Sequence, residues 1–176
     1  MTERSEREAL NNCEPVLTHA QIRKAIFRIA REIDSRHNGQ EVEFVVVLKG
    51  ALPFFAFLLV ELVDCGVGYN YHFVRELRGG RDECFLFSPA TVLEGKIVII
   101  VEDIVDEGLT LKHLLKSICG VCKPASIEIA ALVSRQDNHD LKLDYTGFTL
   151  PAGYLYGFGL DINERFRDLC NIYVSK

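Results

Sequence analysis

The run Ile97-Val98-Ile99-Ile100-Val101 most constrains what this chain can fold into. It is unbroken, apolar and β-branched, with Gly95 before it and Glu102-Asp103 after it. β-Branched side chains suit a pleated backbone. A strand apolar at every position must be covered on both faces, as in a parallel sheet between helical layers. "EVEFVVVLKG" (41–50) is a second run of this kind, and "SIEIAALVS" (126–134) a third. "GYNYHFVREL" alternates and also reads as a strand. Ahead of the first strand, "LTHAQIRKAIFRIAREIDSRH" places Ile22, Ile26, Ile29 and Ile33 at three- and four-residue steps. That spacing predicts an amphipathic helix with Thr18 as its N-cap. "LPFFAFLLVELVDCG" predicts a helix closed by Gly66, and "EGLTLKHLLKSICGVCKP" one broken at Gly120 or Pro124. "RGGRDECFLFSPATVLEG" reads as a mobile loop with a short hairpin. "YLYGFGLD" and "CNIYVS" are expected to complete the sheet. The strand–helix rhythm gives an α/β fold, a twisted and mostly parallel sheet with helices on both faces.

Composition narrows the function classes. A chain of 176 residues, 48% hydrophobic, is expected to be one domain, residues 1–176, with a substantial core. The net charge of −5 argues against a surface that reads nucleic acid through its phosphates. The segment "MTERSEREALNNCEP" is charged throughout and does not read as a signal peptide. "ALPFFAFLLV" is too short to span a bilayer. Cys119 and Cys122 form a C-x-x-C without a second pair or a histidine at ligand spacing, so zinc is not expected. The cysteines read as reduced thiols of a cytoplasmic protein, with Cys119 packing on its helix.

The acids after the central strand need another explanation. Carboxylates as close as Glu102, Asp103 and Asp106 repel one another unless a ligand engages them. In parallel sheets ligands bind at the carboxyl ends of the strands. Lys49-Gly50 ends one strand, Glu102-Asp103 another and Ser134-Arg135 a third, and Asp161 follows "YGFG" near a fourth. These residues converge on one edge. Asp106-Glu107-Gly108-Leu109-Thr110 turns from strand to helix, where backbone N–H groups and the helix dipole make an anion pocket that Gly108 lets close. Glu102 and Asp103 can hold ribose hydroxyls, and Asp106 can accept a proton. The combination suits a phosphorylated sugar. The blander reading, an acidic N-cap for the next helix, leaves the acids before the turn unexplained.

"VIIVEDIVDEGLT" resembles the phosphoribosyl-diphosphate (PRPP) loop of type I phosphoribosyltransferases. "VVVLKGALPFFAFL", "LDYTGFTLPAGYLYGFGLD" and "NERFRDL" resemble the hypoxanthine-guanine branch of that family, over most of the chain. The resemblance implies transfer of 5-phosphoribose from PRPP to hypoxanthine or guanine, with Mg2+, in a purine-salvage enzyme carrying a small hood and a mobile loop. It implies a pyrophosphate loop at Leu48-Lys49-Gly50, whose Leu-Lys peptide is often cis. It makes Glu102 and Asp103 ribose-binding acids, Asp106 the acceptor of the purine N7 proton, and Glu107, Gly108, Leu109 and Thr110 the 5′-phosphate cradle. Arg135 takes the place of a lysine that donates to the purine 6-oxo group. Tyr154 is the stacking ring, Leu155 a backbone contact to the base, Asp161 a metal ligand beside the base, and Arg167 a pyrophosphate contact. The implied metal ligands are Glu102, Asp103 and Asp161. A homo-oligomer, dimer or tetramer, is expected, with neither nucleic acid nor membrane as partner. Arg78-Gly79, without a tyrosine, stands where the family usually carries Ser-Tyr or Arg-Tyr in its closing loop. A catalytically weak paralogue that senses nucleotides or serves as a partner subunit is the alternative.

Overall fold

The structure, a computed structural model, describes residues 14–76, 84–86 and 90–175. The main sheet has six strands in the order β3-β2-β1-β4-β5-β6. These are β1 (Glu41–Leu48), β2 (Gly68–Glu76), β3 (Cys84–Leu86), β4 (Ile97–Val105), β5 (Ser126–Ser134) and β6 (Tyr145–Thr149). β3 pairs antiparallel with β2, and the other neighbours are parallel. Helices α1 (His19–His37) and α2 (Ala51–Leu62) cover one face, and α3 (Leu109–Val121) the other. The alternation along β1 shows why both layers are needed: Val42, Phe44 and Val46 pack with Ile22, Ile26, Phe54 and Leu58, while Val45 and Val47 pack with Leu111, Leu114 and Ile118.

The isoleucine stripe of α1 is fully buried. Its first turn is closed by a capping box: the Thr18 N–H donates to Gln21 Oε1 (2.8 Å), and the Gln21 N–H donates back to Thr18 Oγ1 (3.4 Å). Such a cap contributes ~1 kcal/mol. α2 ends at Leu62 rather than at Gly66. α3 continues through Gly120 and stops at Val121, ahead of Pro124. Cys122 is buried and Cys119 exposed, so Cys122 and not Cys119 is the packing thiol.

The end of the chain departs from the sequence expectation. "YLYGFGLD" and "CNIYVS" do not complete the main sheet. β7 (Tyr154–Tyr156) and β8 (Tyr173–Ser175) form a separate antiparallel pair. The outer strand of the main sheet is instead β6, within "LDYTGFTL". Pro151 and Gly153 interrupt the chain after β6, and neither suits a continuing ladder. The small sheet is held by Tyr156 stacked on Tyr173 (5.4 Å between centroids). It is tied to the main body by paired backbone hydrogen bonds between Leu17 and Ile172. The closing loop, including Arg78-Gly79, lies outside the described residues. No helix among the described residues is long and apolar enough to cross a membrane.

Candidate active site

A cavity of about 690 Å³ opens at the carboxyl ends of β1 and β4. β1 delivers Lys49 and Gly50 through a cis Leu48–Lys49 peptide. β4 delivers Glu102 and Asp103, and the turn after it delivers Asp106, Glu107 and Gly108. The first turn of α3 contributes Leu109, Thr110 and Leu111, and the segment before β8 contributes Asp161, Glu164 and Arg167. Lys49, Gly50, Glu102, Asp103, Asp106, Glu107, Gly108, Leu109, Thr110, Asp161 and Arg167 therefore share one cavity wall. Arg135, Tyr154 and Leu155 do not line it.

Gly50 fits because nothing larger can. It is buried, and a Cβ there would sit 1.7 Å from Asp103 Oδ2, while one on Gly159 would sit 2.0 Å from the Gly50 carbonyl. The Asp103 carboxylate thus lies directly against the backbone of the β1 loop. Burial pushes the Asp103 carboxyl up from its ordinary value. A hydrogen bond with Glu102, the Ile104 N–H (2.9 Å) and the charge of Arg167 pull in the opposite direction.

Gly108 caps α3 in the left-handed region, φ 72° and ψ 14°. This conformation costs an L-residue with a Cβ ~1–2 kcal/mol. A Cβ would also meet Leu141 Cδ1 at 2.5 Å. The turn thereby sets the first residues of α3, Leu109 to Leu111, in the cavity wall, at the positive end of the helix dipole.

Across the cavity, Lys49 Nζ donates to Glu164 Oε2 (2.8 Å). This ammonium holds the Glu164 carboxyl below its usual value. Arg167 donates to the Gly159 carbonyl (2.7 Å) and pairs with Asp161 Oδ1 (2.7 Å). Asp161 Oδ2 accepts from the Glu164 N–H (2.7 Å). Two cations and two acids are interleaved there, a set that an incoming polyanion can reorganise.

On the other side of Asp106, Arg135 is buried. Its Nη1 donates to the Pro151 carbonyl (2.5 Å) and its Nη2 to the Gly153 carbonyl. Its Nε has no hydrogen-bond partner and lies 3.5 Å from Asp106 Oδ2. A buried donor left unpaired costs ~1–3 kcal/mol. The Arg135 fork thus holds the segment ahead of Tyr154, and only Nε is turned toward the acids. Tyr154 is 59% exposed, with its hydroxyl donating to the Asp161 carbonyl (3.0 Å). Leu155 is buried.

The sequence reading missed Glu164, Arg75 and Val47 in the cavity wall, and Asn138, whose Nδ2 donates to Asp106 Oδ1 (2.6 Å). Glu164 sits in the "NERFRDL" motif, and that position was the available signal. Among the described residues, no three His, Cys, Asp or Glu side chains are placed to hold a metal ion together. Glu102, Asp103 and Asp161 are therefore not a ready three-ligand set: Asp161 is turned onto Arg167, and Asp103 onto Gly50.

The family model of the phosphoribosyl transferase domain matches residues 13–163. This chain belongs to the phosphoribosyltransferase family. It is 31% identical over 167 residues to the hypoxanthine-guanine phosphoribosyltransferase of Streptococcus pneumoniae R6, covering 92% of each chain. To the Bacillus subtilis 168 enzyme of the same name it is 30% identical, again over 92% of each. Among solved structures it resembles the hypoxanthine phosphoribosyltransferase of Trypanosoma cruzi in complex with the product IMP. The TM-score is 0.83 at 27% identity, over 92% of this chain and 93% of that one. The Staphylococcus aureus hypoxanthine phosphoribosyltransferase gives 0.80 at 27% identity, over 93% and 91%. In phosphoribosyltransferase terms, the β4 acids, the Gly108 turn and the Lys49-Gly50 loop occupy one cavity, as the sequence motifs imply.

Proposed function

We propose that this chain transfers the 5-phosphoribosyl group of PRPP to hypoxanthine or guanine, releasing pyrophosphate, and that residues 1–176 act as one domain. One observation carries the reading. The acids at the end of β4 share one cavity with an anion cradle at α3 and with Lys49 and Arg167, whose ion pairs with Glu164 and Asp161 an incoming polyanion can replace. A sugar with a phosphate at one end and a pyrophosphate at the other fits that sequence of charges. The similarity to hypoxanthine-guanine phosphoribosyltransferases supports the choice of base.

In this reading the α3 amides from Leu109 to Leu111 hold the 5′-phosphate, with Glu107, Gly108 and Thr110 closing around it. Glu102 and Asp103 accept from the ribose hydroxyls. Lys49, the Gly50 backbone and Arg167 bind pyrophosphate and stabilise the charge that develops as it leaves. The bond from the anomeric carbon to the pyrophosphate oxygen breaks, and the bond to N9 of the base forms. The N7 proton passes to Asp106. Arg135 Nε, the donor of that side chain turned toward Asp106, is the one this reading assigns to the 6-oxo oxygen. Tyr154 offers a ring for stacking, and the Leu155 backbone meets the base edge.

The donor set also fits Mg2+. Hard carboxylate oxygens suit it, and it is commonly held by one or two carboxylates together with substrate phosphates rather than by a protein cage. Glu102, Asp103 and Asp161 are the residues that would hold it, and when bound it would neutralise charge on the departing pyrophosphate. Self-association is supported by Leu52 and Val60 of α2 and by Val63 at its C-cap, which leave an apolar strip exposed. The test is direct. Purified protein is incubated with PRPP, Mg2+ and each of hypoxanthine, guanine, xanthine and adenine, and nucleotide formation is followed. Nucleotide from a 6-oxopurine, at least tenfold faster than from adenine, is expected. No product with any base, or a preference for adenine, refutes the assignment.

A further inference from the structure

Asp106 sits on an exposed turn, and a carboxylate there is free to rotate unless something holds it. The structure shows what does. β5 ends beside β4, with Val105 opposite Ser134 and the Arg135 N–H donating to the Val105 carbonyl (2.9 Å). The chain then makes a short 3-10 turn, Gln136–Asn138, closed by the Asn138 N–H on the Arg135 carbonyl (2.8 Å). The turn brings Asn138 Nδ2 to Asp106 Oδ1 (2.6 Å), while Arg135 Nε faces Oδ2 at 3.5 Å. It is braced from behind by Ser134 Oγ against His139 Nε2 (3.1 Å), and Leu141 lies over Gly108. The two carboxylate oxygens are thus distinguished. Oδ1 accepts from a neutral amide, and Oδ2 accepts no hydrogen bond from Arg135 Nε, which it faces.

We propose that Asn138 is a positioning residue for the phosphoribosyl transfer. Its side-chain amide fixes the rotamer of Asp106, so that Oδ2 is presented to the N7 proton. The inference rests on Asp106 being the proton acceptor of the reaction assigned above. Orientation is the quantity at stake: a correctly aimed group reacts far faster than one that must first find its geometry. The amide is suited to the task because it donates without adding charge beside the two acids upstream. Asn138 itself is exposed, so its side chain is not needed for the core.

The variants Asn138→Ala, Asn138→Asp and Asn138→Gln separate positioning from structure. Asn138→Ala is expected to lower kcat about five- to twentyfold, with KM for PRPP changed less than about twofold. Asn138→Asp keeps the shape but turns the donor into a like charge, so it should be worse than Ala. Asn138→Gln keeps the amide and should recover part of the loss. In an Asp106→Asn background, Asn138→Ala should add nothing, because the group it positions is no longer a base. The proposal is overturned if Ala and Asp variants keep wild-type kcat, if they are equally impaired, or if the Ala penalty persists undiminished in the Asp106→Asn background. A wild type that makes no nucleotide overturns instead the assigned reaction, and this role with it.

Discussion

Replacing Gly50 by alanine tests whether the Asp103 carboxylate works from where the structure places it. The backbone at Gly50 has φ −63° and ψ −40°, ordinary for alanine, and the residue opens a helix. The dihedrals alone would therefore tolerate the change, although alanine is a poorer N-cap than glycine. The contact decides otherwise. An ordinary van der Waals contact begins near 3.4 Å, whereas the new Cβ would lie 1.7 Å from Asp103 Oδ2. The carboxylate must retreat by about 1.7 Å, the difference of those two distances. A misplacement of ~1 Å in a reacting geometry can cost ~100-fold. Gly50→Ala is therefore expected to lower kcat/KM for PRPP by about 100-fold. Overpacking of ~1–3 kcal/mol is small against the ~5–15 kcal/mol stability of an ordinary domain, so the fold should persist. Steady-state nucleotide formation gives the first quantity and thermal unfolding followed by circular dichroism gives the second. A folded Gly50→Ala protein with kcat/KM within threefold of wild type would refute the reasoning, because Asp103 would then tolerate displacement.

Asp106→Asn keeps the shape of the side chain but removes the proton acceptor, so kcat should fall by ~10²–10⁴-fold while IMP affinity, read by calorimetry, changes little. Gly108→Val forces a β-branched residue into the left-handed region and against Leu141. Nucleoside monophosphate binding should be lost and free-base binding much less affected, and equal losses of both would place the phosphate elsewhere. Glu128 offers a pH test away from the site. It accepts from Tyr145 (2.5 Å), lies 3.0 Å from His37 Nε2 and pairs with Arg36 at 3.3 Å. Burial pushes its carboxyl up, but the hydrogen bonds from Tyr145 and His37 and the charges of His37 and Arg36 outweigh it, and the net shift is down. A depressed carboxyl contributes stability above its unfolded value of ~4.3, and that stability is lost as pH falls through the folded value. Glu128→Gln should cost roughly 1.5–3 kcal/mol at pH 7 and flatten the acid side of the stability curve. A parallel loss at pH 7 and at pH 3 would argue against the charged form as the cause.

The strands and helices of the main body were legible because their apolar residues are many and regularly spaced. Four isoleucines on one face of α1 admit one orientation against the sheet, and the runs in β1 and β4 have no polar face to expose. β6 was not legible in the same way. "YTGFT" is short, carries a glycine and lies at the edge, where only one neighbour supplies hydrogen bonds. The strands of the small sheet have no periodic length to read: three aromatic or aliphatic residues, "YLY", fit the edge of a large sheet or a hairpin equally well.

Function residues followed the same division. Lys49, Glu102 and Asp103 stand at the ends of readable strands, so parallel-sheet logic puts them at one edge before any coordinate is known. Glu164 escaped because its place depends on an irregular segment. Asn163 and Glu164 both adopt positive φ, 52° and 65°, values rare for residues other than glycine, and this turn carries the Glu164 side chain back to Lys49. Asn138 escaped for a related reason. Its contact with Asp106 depends on a single 3-10 turn, and on β5 ending level with β4. Arg135 shows the limit from the other side. The arginine was readable, and so was its position at a strand end, but the destination of its fork was not. The Pro151 and Gly153 carbonyls that receive it belong to an irregular link whose conformation no periodicity encodes. A lysine has one terminal nitrogen and would have to choose between those carbonyls and a ligand, whereas arginine's separated donors can brace the link and still leave Nε facing Asp106.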